Sequence, residues 1–220
     1  MTGRVTLAIS ASAALALAPC APTQAKPIAF ADGTTVMGEW GGTTMREVQV
    51  FYAPRYDLSV GGGYEQLISD LNGATTNIVY GRVNYLWKRW NLEDAQANVF
   101  VWGGLGGARV RNQSGDLLTG NAGAQFDYET RRIYFSAKTD FQHSSEFAYR
   151  IDTAQFGVAL YPHEFNTLAT WVVVQARNYT GGLYNGIESS LLLRLFKGNR
   201  WIEAGATNRG HLQAMFMVNF

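Results

Sequence analysis

The feature that most constrains this chain is alternation, repeated in segments of about 8 to 12 residues separated by turn chemistry. From 132 to 142, Ile133, Phe135, Ala137, Thr139 and Phe141 alternate with Tyr134, Ser136, Lys138, Asp140 and Gln142. Successive side chains of a strand point to opposite faces, so each such segment carries one apolar and one polar face. The same division recurs over 77–87, 168–177 and 187–196. Weaker examples occupy 35–39, 47–52, 58–65, 98–106, 121–128 and 201–206, and a last one runs over 211–220.

Between 147 and 161 the parity slips. Tyr149 and Ile151 are apolar on odd positions, then Phe156, Val158 and Leu160 on even ones. One extra residue in a strand has this effect, so a β-bulge is expected near Ala154. With that segment the strands number twelve, or ten if 35–39 and one other weak segment fail. An even number lets both ends of a closed antiparallel barrel lie on one side. The short links at 53–57, 129–131, 161–166 and 197–200 alternate with longer ones at 66–76, 107–119 and 178–186. Only 88–96 breaks this order, as a long link on the short-turn side. The expected fold is therefore all-β, a closed antiparallel barrel.

No apolar run after residue 25 is long enough for a spanning helix, which needs about 20 residues. The run from 5 to 18 is also too short. With Arg4 before it and Thr23-Gln24-Ala25 after it, residues 1–25 read as a cleaved secretory signal, followed by a short segment at 26–33 and the barrel at 34–220. Leu17-Ala18-Pro19-Cys20 is similar to a lipoprotein box, with Pro19 where a small residue is usual. Cleavage after Ala25 removes Cys20, the one cysteine, and with it any disulfide or thiolate chemistry. A net charge of +1 provides no basic footprint for nucleic acid.

At the C-terminus Leu212, Ala214, Phe216, Val218 and Phe220 alternate with Gln213, Met215, Met217 and Asn219. This pattern resembles the terminal strand of bacterial outer-membrane proteins, although Met215 stands where that class frequently has glycine. The resemblance implies a transmembrane barrel in the outer membrane, surrounded by lipid and lipopolysaccharide. It also implies that Phe216, Val218 and Phe220 are read by the barrel-assembly machinery. Tyr52, Tyr64, Tyr85, Trp87, Trp90, Tyr128, Tyr161 and Trp201 fall near predicted strand ends, where interfacial aromatic girdles form. A soluble exported barrel of lipocalin type is the alternative, since its strands also alternate.

One segment has the residue types of a hydrolytic site: Gln142-His143-Ser144-Ser145-Glu146. His143 could serve as base to Ser144 or Ser145 and Glu146 could orient it. The His-x-Ser pair is similar to a fragment of outer-membrane lipid A deacylases, which implies a lipid hydrolase as the alternative function. Adjacent residues on one loop cannot all converge, which weighs against it. Three scattered histidines and no mature cysteine leave no transition-metal ligand set, and no cofactor is implied. The glycines over 103–107 lack the Lys-Ser/Thr of a phosphate loop.

The polar parity supplies the expected lumen charges. Arg82, Lys138, Arg150, Arg177 and Arg194 stand against Asp127, Asp140, Asp152, Glu188 and Glu203. Charges in balance are expected to pair across strands. The sequence therefore points to an envelope structural barrel or narrow passive conduit, with no solute specified.

Overall fold

The computed structural model describes residues 31–111, 115–163, 166–184 and 186–220. The predicted signal at 1–25, Cys20 included, lies outside the described residues. Twelve strands follow in chain order: β1 (Gly33–Gly41), β2 (Met45–Arg55), β3 (Leu58–Ile68), β4 (Thr75–Asn91), β5 (Ala95–Val110), β6 (Leu117–Thr130), β7 (Ile133–Ser144), β8 (Ala148–Ala159), β9 (Ala169–Tyr179), β10 (Ile187–Lys197), β11 (Arg200–Thr207) and β12 (Leu212–Asn219). Each pairs antiparallel with its chain neighbours. β1 also pairs with β12, through Val36 opposite Val218 and Gly38 opposite Phe216, and so closes the barrel. Closure removes the unpaired strand edges that an open sheet would present.

The strands are longer than alternation alone outlines. β4 runs to Asn91 and β5 starts at Ala95, so the anomalous long link at 88–96 becomes a tight turn closed by Leu92 N–H donating to the Ala95 carbonyl at 2.8 Å. All links on that side now join their strands in a few residues except the one between β8 and β9. We call this the turn end, and the opposite side the loop end.

The β-bulge expected near Ala154 is absent. β8 holds one register throughout, with Ala137 opposite Ala154 and Ala154 opposite Ala176. Its even residues face outward along the whole strand, and its odd residues, Tyr149 and Ile151 among them, face inward. The apparent slip has a different cause: at the loop end of β8 the inward residues Tyr149 and Ile151 are apolar and the outward ones, Arg150 and Asp152, are charged, so hydrophobicity changes sides while the backbone does not. Bulges occur instead in β2 between Tyr52 and Arg55, and in β4 between Leu86 and Lys88.

The core lies inside the barrel. Toward the loop end Met45, Leu67, Ile78, Ala108, Ile151 and Tyr179 cluster with Leu183 and Tyr184 of the β9–β10 loop. Toward the turn end Tyr134, Trp171, Phe196, Trp201 and Met217 form a second layer, with Leu86, Phe100 and Trp102 beside it. Outward positions carry exposed valine, leucine and aromatic side chains around the wall, including Val48, Val83, Phe135, Phe156, Val174, Leu193, Ile202 and Phe216.

Candidate functional site

The interior is where this fold concentrates its chemistry, and β1, β2 and β3 begin it with a row of acids. Glu39 stands opposite Glu47 across β1 and β2, and Glu47 opposite Glu65 across β2 and β3. Three carboxylates in adjacent register positions repel one another unless cations or hydroxyl donors reach them. Tyr80 donates its hydroxyl to Glu47 at 2.5 Å. Arg177 of β9 forms an ion pair with Glu39. Gly63 makes the first contact sterically possible, because a Cβ there would lie 2.7 Å from the Tyr80 hydroxyl.

Next to this row sits Arg82. One guanidinium nitrogen donates to Gln49 at 2.8 Å, another lies 4.0 Å from Asp140, and the group is packed among the rings of Phe51, Tyr80 and Trp102. Asp140 also receives Lys138 at 2.7 Å and the Trp102 indole N–H at 2.9 Å. Trp102 fits because the facing residue is Gly123, where a Cβ would overlap the indole ring.

A third group is centred on Arg194, whose side chain is 2% exposed. Its Nε donates to Glu203 at 2.5 Å and Nη2 to Gln155 at 2.9 Å, and its guanidinium lies 4.3 Å from the Trp201 ring and 4.6 Å from that of Tyr134. Cation–π contact with two rings compensates part of the hydration such a buried cation gives up. Near the turn end Arg89 donates to Asn98 at 2.6 Å, and Asn98 donates in turn to Asp127 at 2.6 Å.

At the loop end the mouth is crossed by its own chain. Ser69 donates its hydroxyl to the Gly182 carbonyl at 2.6 Å, and Asp70 N–H donates to the Leu183 carbonyl at 2.7 Å. These bonds tie the β9–β10 loop to the β3–β4 loop on the opposite wall. Arg209 fastens the strap, pairing with Asp70 at 2.8 Å and stacking 4.4 Å from the Tyr184 ring. Among these side chains lie a cavity of about 120 Å³ at the level of Glu47, Arg82 and Arg194 and a smaller one of about 30 Å³ beside Glu65 and Tyr80.

No protein-family model matches the chain. No curated protein matches it either. A solved structure from work described as "Unveiling the Mechanism Behind the in-meso Crystallization of Membrane Proteins" aligns with 86% of this chain and 82% of its own, at 11% identity and a TM-score of 0.41. The chain is a closed twelve-stranded β-barrel.

Of the expected lumen charges, the structure places Arg82, Asp127, Lys138, Asp140, Arg177, Glu188, Arg194 and Glu203 on inward positions. Arg150 and Asp152 belong elsewhere. They are on the outward parity of β8 and pair with each other at 2.9 Å, with side chains 46% and 37% exposed. Sequence reasoning missed Glu39, Glu47, Glu65, Glu129 and Arg89. The described interior is therefore richer in carboxylates than in cations rather than balanced. The signal for Glu47 was present, since it shares the parity of Gln49 and opposes Val48 and Val50.

The hydrolase candidates do not converge. Ser144 points inward and donates to the Leu118 carbonyl at 2.9 Å, whereas His143 points outward. Ser145 and Glu146 are exposed in the following turn. No described hydrogen bond joins His143, Ser145 and Glu146. Phe216 and Phe220 face outward at 46% and 70% exposure, and Phe220 exchanges two backbone bonds with Thr34 at 2.8 and 3.0 Å.

Proposed function

We propose that this chain is an integral barrel of the bacterial outer membrane whose interior is a closed structural core, making it an envelope protein rather than an open pore. The observation that carries the reading is the inversion of polarity across the wall. Arg82, Lys138, Arg177 and Arg194 are inside, and valine, leucine and phenylalanine are outside on strand after strand. In water this arrangement would leave apolar surface exposed well beyond the few hundred Å² that soluble monomers tolerate. In hydrocarbon it is the favourable one, since closed strands satisfy their backbone groups and charges retreat to the interior. A soluble lipocalin-type barrel needs the opposite polarity, an apolar cavity under a solvated wall.

A closed interior follows from side-chain size. A twelve-stranded barrel lined by short residues would leave a lumen. Here arginine, glutamine, tyrosine and tryptophan reach across it, and the larger of the two cavities left among them is about 120 Å³. The apolar layers and the strap lie to either side of this charged middle.

Two measurements test the reading. The membrane fraction is expected to release the protein only with detergent; recovery from the soluble periplasm without detergent would overturn the membrane assignment. In planar bilayers the reconstituted protein is expected to give no stable conductance steps. Large, long-lived openings would overturn the closed interior.

A further inference from the structure

Three hydrogen-bond donors inside the barrel find no acceptor among the described residues, and all three belong to side chains that line the cavity of about 120 Å³. They are Arg82 Nε, Gln175 Nε2 and Arg194 Nη1. The side chains of Arg82 and Arg194 are 9% and 2% exposed and Gln175 is 3% exposed, so bulk water does not serve them. A buried donor left unpaired is costly. Arg82 belongs to β4 and Arg194 to β10, six strands apart in a ring of twelve, with Gln175 on β9 beside Arg194. The donors therefore approach the cavity from opposite walls.

The chemistry at the Gln175 end is fixed by its partners. A guanidinium only donates, so Arg194 Nη2, 2.9 Å from Gln155, turns that amide's oxygen toward itself. Gln155 Nε2 then donates to Gln175 Oε1 at 2.7 Å, which leaves the Gln175 amide nitrogen as the end of the relay. Arg82 is the cation with the least countercharge. Arg177, Lys138 and Arg194 each close an ion pair of their own, with Glu39, Asp140 and Glu203. Arg82 instead donates to the neutral Gln49 and stands 4.0 Å from the Asp140 that Lys138 already holds. The cavity is lined by these four cations and by three carboxylates, Glu39, Glu47 and Glu203. The acid excess of the interior belongs elsewhere: to Glu65 and Asp140 at the smaller cavity, Asp127 and Glu129 toward the turn end, and Glu188 toward the loop end.

We propose that this cavity binds one monovalent anion of halide size, held by Arg82 Nε, Gln175 Nε2 and Arg194 Nη1. An anion accepts from all three donors. A water accepts from two and must then place its own two hydrogens, and no residue lining the cavity has a buried unpartnered oxygen. Glu39, Glu47 and Glu203 already accept from Arg177, Tyr80 and Arg194, and their charges limit the occupant to a single negative charge. The proposal rests on the closed-interior reading, since an open lumen would hydrate the donors.

The test uses the full chain refolded in lipid vesicles at constant ionic strength, with chloride replacing gluconate, an organic anion far larger than a halide. For one site on the folded state, the unfolding constant in urea is expected to fall roughly tenfold for each tenfold rise in chloride above half-saturation. Crystals grown in bromide are expected to show one anomalous peak among Arg82, Gln175 and Arg194. Arg82→Met removes the cation and Gln175→Met the end of the relay. Each should raise the half-saturating chloride about tenfold or more, and Gln175→Met serves alone if Arg82→Met does not fold. Equal unfolding in chloride and gluconate would overturn the proposal, as would ordered water in the cavity with no bromide. A chloride dependence undiminished in a folded variant would do the same. Planar-bilayer recordings separate the two readings: stable openings sink the closed interior, whereas a silent barrel with no chloride effect sinks the anion site alone.

Discussion

Arg194 and Glu203 meet on neighbouring strands as a buried ion pair at 2.5 Å, with side chains 2% and 4% exposed, and the guanidinium contacts the rings of Tyr134 and Trp201. Removing one partner leaves the other charge buried without compensation. Glu203→Gln is accordingly expected to destabilise the folded barrel by about 3–5 kcal/mol, read from urea unfolding in lipid vesicles. Arg194→Met with Glu203→Leu removes both charges and should recover most of that loss. A double variant as unstable as the single one would show that the aromatic stacking, not the pair, governs this layer.

Filling the interior also makes a steric prediction at Gly123. Any side chain there must share space with the Trp102 indole, whose N–H is held by Asp140. Gly123→Val is expected to cost about 1–3 kcal/mol through overpacking. A Cβ there would also lie 2.5 Å from the Thr139 carbonyl oxygen. Adding Trp102→Leu therefore removes only the indole's share of the clash, and the double variant is expected to recover part of the loss in unfolding midpoint, not all of it. The check is the unfolding midpoint of all three proteins.

These two sites show which parts of the molecule the sequence discloses. Strand number and order are legible because alternation and turn residues are local, and both survive in 168–177, 187–196 and the final strand. Which side a face belongs to is less local. The run Tyr149–Arg150–Ile151–Asp152 alternates cleanly, yet its apolar members are inside, because at the loop end of β8 they pack on an interior plugged by Leu183 and Tyr184. Lower on the same strand Phe156 and Val158 face outward. Pattern alone cannot show where along a strand the surroundings change. The acidic row of Glu39, Glu47 and Glu65 was concealed differently: it exists only once register aligns three strands whose individual signals are weak.

The turn between β8 and β9 gives a pH dependence. His163 stands edge-on to Trp171 with ring centroids 5.6 Å apart, and burial lowers its pKa from the usual value, opposed by a backbone hydrogen bond at Tyr161. The folded state thus favours the neutral imidazole. Its stabilising contribution is complete above the unfolded value of about 6.5 and is lost as pH falls through and below it. Unfolding midpoints at pH 7.5 and 5 are expected to differ more in wild type than in His163→Gln, the acid side being weaker. Equal differences in the two proteins would remove His163 from the acid response.

The residues suggestive of hydrolysis lead to opposite expectations for two adjacent serines. Ser144 is buried and bridges β7 to β6 through the Leu118 carbonyl, so Ser144→Ala should lose about 1 kcal/mol of stability. Ser145 is exposed in the turn, and no described hydrogen bond joins it to His143 or Glu146, so Ser145→Ala and His143→Ala should match wild type in stability. Reconstituted with labelled lipid, wild type and both variants are expected to release fatty acid at the rate of protein-free vesicles. Release by wild type that Ser145→Ala abolishes while the barrel stays folded would reverse this assignment. It would mean that the turn rearranges on binding lipid to bring Ser145 and His143 together, as catalytic groups can tighten only in the bound complex.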